Sequence, residues 1–361
     1  MVEIRPISGL CAWRGENMVS SDSWIRDLRP ADIAEIEAAL VVVEDRGLSW
    51  DEIMPADFPL PGMSALFDDV RDELEHGCGM LKLRGVPVGN YNEDQLRKIY
   101  FGLGQNIGSP VHQNRRGEVM RFIRDEGTDV GEKYGQIATA TMDDGKPFLS
   151  SYARTLTNGA LRFHTDRTDV VSLLCVNQAA SGGVSTICSS VSVMNTMLDR
   201  RPDLTELLYE PYFRSRLGEE ARVPEDVYPL PVFAQRDGKF TSHFSLTYIE
   251  AAQKTEVVPK LSGAQAEAID VMLEVAAELS FEMILEPGDI QFLNSHVTYH
   301  GRTPFEDDQE AGLSRLLMRL WLSMPNSRPL PIDHAVLWRD TEPGQIRGGI
   351  CQIPELQHGV D

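Results

Sequence analysis

A chain of 361 residues that is 42% hydrophobic and 25% charged has ordinary globular composition and enough material for a sizeable core, which predicts one large domain or one with satellites. Its formal net charge of -21 opposes binding to nucleic acid or to an acidic membrane surface, because only the short pairs Arg115-Arg116 and Arg200-Arg201 interrupt the acidic background and no basic patch forms. The cysteines Cys11, Cys78, Cys175, Cys188 and Cys351 lack the close pairs of thiolate metal sites, the N-terminus lacks the apolar core of a signal peptide, and no run of about twenty apolar residues exists, so a reduced, cytoplasmic protein outside any membrane is expected.

In chain order the first hundred residues read as helices around one buried strand. Ile33, Ile36, Leu40 and Val43 recur at helical spacing from Pro30 to Arg46, before Gly47. A second helix runs from about Ser64 to His76 and is stopped by Gly77, and Met80 to Arg84 then reads as a strand ending at Gly85. A third helix starts at Asn92, with Gln95 as its capping-box partner, and ends near Gly104. From about Glu118 short apolar strands alternate with glycine, proline and aspartate turns, the pattern of an antiparallel sandwich or barrel. The stretch from Asp125 to Asn158 is long and polar for a connector and reads either as a lid over a binding site or as a surface excursion. Val170 to Val176 is an almost wholly apolar strand, Gly182-Gly183 a turn, and Phe233 to Phe244 a hairpin about Asp237-Gly238. Ser262 to Leu279 is an inserted helix capped by Ser262 and Gln265. Phe281 to Leu285, Ile290 to Leu293 and Ser314 to Ser323 are further strands, and the Pro-rich segment after Met324 reads as a peripheral tail.

Chemistry concentrates in three of these elements. In His164-Thr165-Asp166 an imidazole and a carboxylate two apart on extended backbone share one face, which suits either a metal ion or a simple hydrogen-bonded couple. In PGDIQFLNSHVTYHGRT a turn at Pro287-Gly288-Asp289 feeds a strand that ends in His300-Gly301-Arg302, where a histidine can face a cavity. His-x-Asp with a distal histidine leaves coordination positions open, an arrangement that suits non-haem Fe(II). His296 lies four before His300, but Pro-Gly-Asp before it and Gly-Arg-Thr-Pro after exclude the helix that a His-x-x-x-His zinc site needs, so it is expected as a polar neighbour or core residue. In SRLLMRLWLS, Arg315, Leu317, Arg319 and Trp321 share one face of a strand and Leu316, Met318, Leu320 and Leu322 the other. Two arginines thus point where an apolar strand should bury a face, and they need anions, either the protein's own acids or a dicarboxylate gripped through paired hydrogen bonds.

Together these elements resemble the taurine dioxygenase-like (TauD/TfdA) Fe(II)/2-oxoglutarate-dependent oxygenases. The resemblance rests on the HTD of His164 to Asp166, SGGVSTICSS, EPGDIQFLNSHVTYHGRTPFED and RLLMRLWL, whose order and spacing match over roughly residues 75–325. It implies a mainly β fold with flanking helices (α+β) around a double-stranded β-helix, the jelly-roll or cupin-like core. Residues 1–75 would then be a helical segment packed on that core, 76–325 the oxygenase domain with a lid loop at 125–158 and inserted helices, and 326–361 a peripheral tail. It implies His164, Asp166 and His300 as Fe(II) ligands. Arg315, fifteen positions after His300, corresponds to the arginine that pairs with the distal carboxylate of 2-oxoglutarate, and Ser185 supplies the accompanying hydroxyl where the family has threonine. Thr186 is a second candidate for that hydroxyl, although the register puts it on the opposite face. Arg319 matches a position that contacts an acidic substrate group in some relatives.

The implied reaction uses O₂ and 2-oxoglutarate, releases succinate and CO₂, and hydroxylates, desaturates or cyclises a small molecule. An amino acid or other acid-bearing metabolite is the expected substrate. The rival readings are a redox-inert metal hydrolase on the same three ligands, which would need no cosubstrate anchor, and a non-catalytic jelly roll that binds a small acid. Monomer and homo-oligomer both fit the sequence.

Overall fold

The structure, a computed structural model, describes residues 4–350 apart from 128, 135, 142–146 and 218–225. Two sheets form its centre. The larger passes through Ile25–Asp27, Met80–Arg84, Ile290–Asn294, Val170–Asn177, Leu316–Ser323 and Ser109–Pro110, with Met120–Ile123 also paired to Leu316–Ser323. Its pairings are antiparallel except the first, between Ile25–Asp27 and Met80–Arg84. The smaller sheet is antiparallel throughout, in the order Phe281–Met283, Ser185–Ser189, Thr298–Arg302, Leu161–His164. This is the mainly β architecture with flanking helices that the family resemblance implies.

The period of two along each strand sorts side chains between the two faces of its sheet. Val171 and Cys175 of one central strand, Leu317 and Trp321 of its neighbour, and Ile187, Phe281 and Met283 of the smaller sheet share the apolar layer between the sheets. Val170, Leu174, Met318, Leu320 and Leu322 face the other way, against Phe67 and Val70 of the helix Ser64–Glu75 and Tyr100 and Leu103 of the helix Glu93–Ile107. On the far side, Cys188 and Tyr299 of the smaller sheet are covered by the helices Ser190–Arg200 and Gly263–Leu279. The Arg315, Arg319 and Trp321 side chains share one face, as the alternation predicts, and that face points between the sheets.

Two capping boxes form where expected. Asn92 Oδ1 accepts from Gln95 N at 3.0 Å while Gln95 Oε1 accepts from Asn92 N at 3.1 Å, and Ser262 with Gln265 repeats the exchange, each cap contributing about 1 kcal/mol. The third helix continues past Gly104 to Ile107. Gly104 serves as a contact rather than a stop, since a Cβ there would lie 2.5 Å from Leu320 Cδ1 and the leucine would have to shift for the helix to keep its seat on the sheet. Asp237 and Gly238 both take positive φ (50° and 76°) in the tight turn between Phe233–Arg236 and Lys239–Ser242.

The segment after Met324 is packed more deeply than the peripheral tail expected from its proline content. Trp338 and Arg347 are fully buried, and Leu337 and Trp338 cluster with Tyr228, Leu230 and Leu330. Among the described residues Cys11, Cys78, Cys175 and Cys188 are free thiols, and no helix is long and apolar enough to cross a membrane. Cys351 lies outside the described residues.

Candidate active site

The pairing of Leu161–His164 with Thr298–Arg302 sets His164 opposite His300 in register, their rings 4.2 Å apart at the centroids. The next residue is pinned, for Thr165 N donates to Phe244 O at 2.8 Å and Thr165 Oγ1 accepts from Phe244 N at 3.0 Å. Asp166 Oδ2 then lies 3.7 Å from His300 Nε2, and one ligand atom each from His164, Asp166 and His300 fall within 4.8 Å of one another.

The protonation states suit a cation. His164 Nδ1 lies 2.9 Å from the Arg162 carbonyl oxygen. Because a carbonyl can only accept, Nδ1 is the donor of this pair and Nε2 is the nitrogen left for a metal. Burial, reinforced by His164 and Arg319 and opposed by Asp166, pushes His300 down to about 3, so its imidazole is neutral. Burial alone would raise the Asp166 carboxyl, but the charge of Arg319, the largest of the opposing influences, holds it below the usual carboxylate range. Asp166 Oδ2 is buried with no hydrogen-bond partner, which would cost about 1 to 3 kcal/mol if nothing else satisfied it. Two imidazoles and a carboxylate with one unpartnered oxygen fit a divalent metal ion.

The other histidines nearby are committed elsewhere. His296 Nε2 meets Asp169 Oδ1 at 2.9 Å and Nδ1 meets Thr241 Oγ1 at 2.8 Å, which makes it the core residue expected. His243 Nδ1 meets Thr165 Oγ1 at 3.0 Å.

Two cavities meet at this cluster and share His164, Asp166, Thr155 and Arg319. The first is bounded by Ser185, His300, Arg302, Arg315 and Leu317. In register Ser185 pairs with Arg302, Thr186 with Gly301 and Ile187 with His300. Ser185 therefore shares the inward face, whereas Thr186 points to the other side, away from the cavity, and drops out as a second hydroxyl candidate. Arg315 is buried, its Nη1 has no partner, and burial pulls it down to about 10. Gly183 makes its room, since a Cβ there would come 2.9 Å from Arg315 Nε, and its φ of +69° excludes most side chains.

Arg302 is a residue the sequence reading passed over, although it lies two beyond His300 and so on the same face of the strand. Its guanidinium holds the carbonyls of Thr155, Thr157 and Gly159, leaving Nε without a partner. Burial and the charge of Arg315 pull it down to about 9. Phe305 lies 4.9 Å from Arg302 and 5.2 Å from Arg315, ring centroid to guanidinium carbon. Among the described residues neither arginine forms an ion pair with a protein carboxylate, the condition under which a buried guanidinium requires an added anion.

The second cavity adds Gln113, Tyr152, Ser245, Tyr248, Trp321 and Ile350, none of which belongs to a local motif. Arg319 Nε donates to Gln113 Oε1 at 2.6 Å, and Gln113 Nε2 donates to the Val119 and Arg319 carbonyls, both at 2.9 Å, so the amide and the guanidinium hold each other in place. Tyr152 and Thr155 come from the short helix Ser151–Thr155, at the end of the 125–158 stretch. Residues 128, 135 and 142–146 of that stretch lie outside the described residues; the rest includes the helix Val130–Tyr134 and the paired strands Gln136–Thr141 and Pro147–Leu149. A larger open groove among Trp50, Arg97, Phe122 and Arg124 shares no residue with either cavity, and Arg97 there is engaged by Glu93 and the Phe122 ring.

Fold and site together define a non-haem iron oxygenase that uses 2-oxoglutarate. The family described as "Taurine catabolism dioxygenase TauD, TfdA family" matches residues 45–321, and the chain belongs to it. Relatives include the FR-33289 synthase of Streptomyces rubellomurinus, 29% identical over 92% of this chain and 95% of its own length. The taurine hydroxylase-like protein SAT17 of Stachybotrys chartarum is 28% identical over 91% of this chain and 80% of its own. Solved structures of similar fold include an asparagine oxygenase in complex with Fe(II), 2S,3S-3-hydroxyasparagine and succinate (TM-score 0.59, 17% identity, 83% of this chain and 93% of that one). The non-heme iron oxygenase OrfP in complex with Fe and alpha-ketoglutaric acid is another (TM-score 0.57, 16% identity, 83% and 93%).

Proposed function

We propose that the protein hydroxylates, desaturates or cyclises a small acid-bearing molecule, an amino acid or a related acid, beside iron held by His164, Asp166 and His300. The observation that carries this reading is the meeting of two cavities at the triad, only the first bounded by Arg315 and both by Arg319. One dicarboxylate in the first cavity leaves Arg319 for a second anion. The names of the relatives, a taurine hydroxylase-like protein and an asparagine oxygenase, agree with a small acid.

In this reading O₂ is the oxidant and bound iron would supply the chemistry that activates it, with 2-oxoglutarate taking up one oxygen atom as it leaves as succinate and CO₂ and the remaining two oxidising equivalents passing to the substrate. The chain positions and shields. Arg315 and Ser185 grip the distal carboxylate of 2-oxoglutarate. Arg319, steadied by Gln113, orients the acid group of the substrate, and Leu317, Trp321 and Ile350 keep the surrounding walls apolar. The test is a mass-spectrometric screen of small acids with Fe(II), ascorbate and 2-oxoglutarate, seeking a compound that gains an oxygen atom or loses two hydrogens as succinate forms. A metal hydrolase or a non-catalytic acid-binding jelly roll forms no succinate.

Two substitutions probe the two anion sites separately. Gly183→Ala places a methyl group against Arg315 Nε on backbone of positive φ, and it should raise the 2-oxoglutarate dissociation constant at least about tenfold in an anaerobic titration while Fe(II) binding holds. An unchanged constant would mean that Arg315 does not need its present position. Arg319→Lys keeps the charge but loses the planar fork and its Nε bond to Gln113. The acidic substrate should then bind at least about tenfold more weakly with little change for 2-oxoglutarate. Weaker 2-oxoglutarate binding instead, or a neutral substrate, would reassign Arg319.

A further inference from the structure

The family match ends at residue 321, yet the chain returns to the site beyond it. Residues 347–350 thread between the loop that carries Asp166 and the segment that carries Gln113. Gly349 N donates to Arg167 O at 2.6 Å and Ile350 N to His112 O at 2.8 Å, so consecutive amides reach the residue after Asp166 and the residue before Gln113. Glycine is required for so close a passage: Gly348 and Gly349 have φ of +74° and +68°, and a Cβ would come 2.7 Å from Arg167 O at the first and 2.8 Å from His112 O at the second.

Just upstream the fully buried Arg347 donates Nε to Asp169 Oδ1 at 2.8 Å and its backbone N to Ser323 Oγ at 3.0 Å. Asp169 also meets His296 Nε2 and accepts from Met324 N, each at 2.9 Å. Truncating one partner of such a buried network leaves an unpaired charge, so the network holds the segment in one place. At its end Ile350, 4% exposed, joins the apolar layer of Val111, Ile123 and Trp321 and lines the second cavity together with His164, Asp166 and Arg319.

We infer that residues 347–350 are a strap forming one wall of the substrate chamber, and that Ile350 determines specificity by setting how long an apolar chain the acidic substrate can carry. The inference rests on the function proposed above: with the acid group on Arg319, the remainder of the molecule occupies the space bounded by Trp321 and Ile350. Because the wall lies outside the family match, it is a place where this chain can select its own substrate while the triad stays as it is.

The test uses straight-chain alkanesulfonates, from ethane- to octanesulfonate, titrated calorimetrically and anaerobically into the full chain with Fe(II) and 2-oxoglutarate present. The visible absorption of the iron and 2-oxoglutarate complex is followed in the same samples. Ile350→Ala should move the preferred chain length upward, with about a tenfold gain for the longer members, and Ile350→Phe should move it downward by a similar factor. Opposite shifts from one position are not produced by a change in folding stability. The same preferred length in all three proteins, or no sulfonate binding by the wild type, overturns the inference. Absence of the iron and 2-oxoglutarate absorption in the wild type counts against the proposed function instead, and the order of sulfonate affinities still decides the role of Ile350.

Discussion

His300→Ala and His164→Ala are each expected to lower succinate formation by more than about 100-fold, the upper range already seen when partners merely supporting a metal ligand are removed. The expectation follows from the state of the site without metal. His300 is neutral and buried, His164 uses Nδ1 on the Arg162 carbonyl and leaves Nε2 for a metal, and Asp166 carries an oxygen with no partner. Each substitution leaves an incomplete set around that carboxylate. Neither imidazole packs as an apolar core side chain, so the fold should survive, and circular dichroism and thermal melting would report it near the wild type. Anaerobic equilibrium dialysis against Fe(II) is the direct measurement. Wild-type succinate formation by either variant, with His296 and His243 intact, would show that the ligand set is wrong.

Arg315→Met is expected to weaken 2-oxoglutarate binding by about 2 to 5 kcal/mol, the usual cost of removing one member of a buried charge pair, and so by at least about tenfold. Stability should move in the opposite sense from affinity. Without cosubstrate, Arg315 is a buried guanidinium whose Nη1 has no partner, and its charge is disfavoured enough to pull its pKa down to about 10. A methionine of similar length removes that burden, so the metal-free, cosubstrate-free variant should melt no lower than the wild type while losing the stabilisation that 2-oxoglutarate confers. A variant that melts lower without cosubstrate yet keeps wild-type 2-oxoglutarate affinity would make Arg315 a structural residue.

Much of the site was legible because its signals are local. His164 and Asp166 share a face by the period of two, and His300 closes a strand of that period. The alternation of Leu316 to Ser323 set Arg315 and Arg319 on one buried face of the strand before any partner strand was known, and the structure turned that face between the sheets. Arg302 was legible on the same grounds, two residues beyond His300 on a strand of that period. Gly104 misled, since a glycine that ends a helix and a glycine that lets a helix touch a sheet look alike until Leu320 is placed against it.

The sequence by itself determined the period of each strand and the caps of the helices, because these depend on residues within one or two turns of each other, and it determined the order of motifs that marks the family, because each motif is short and their order is carried by the chain itself. Alternation along the strand already set Ser185 and Thr186 on opposite faces, and tertiary structure decided that the Ser185 face lines the first cavity, through the register that pairs Ser185 with Arg302 and Thr186 with Gly301. It also decided that Gln113 steadies Arg319 from 206 positions away and that Arg347 reaches Asp169 across 178. A stretch rich in proline and glycine carries no periodic sign of where it will dock. The place of residues 347–350 beside the metal loop is settled only when the buried charge of Arg347 finds Asp169, and Gly348 and Gly349 allow the backbone to follow.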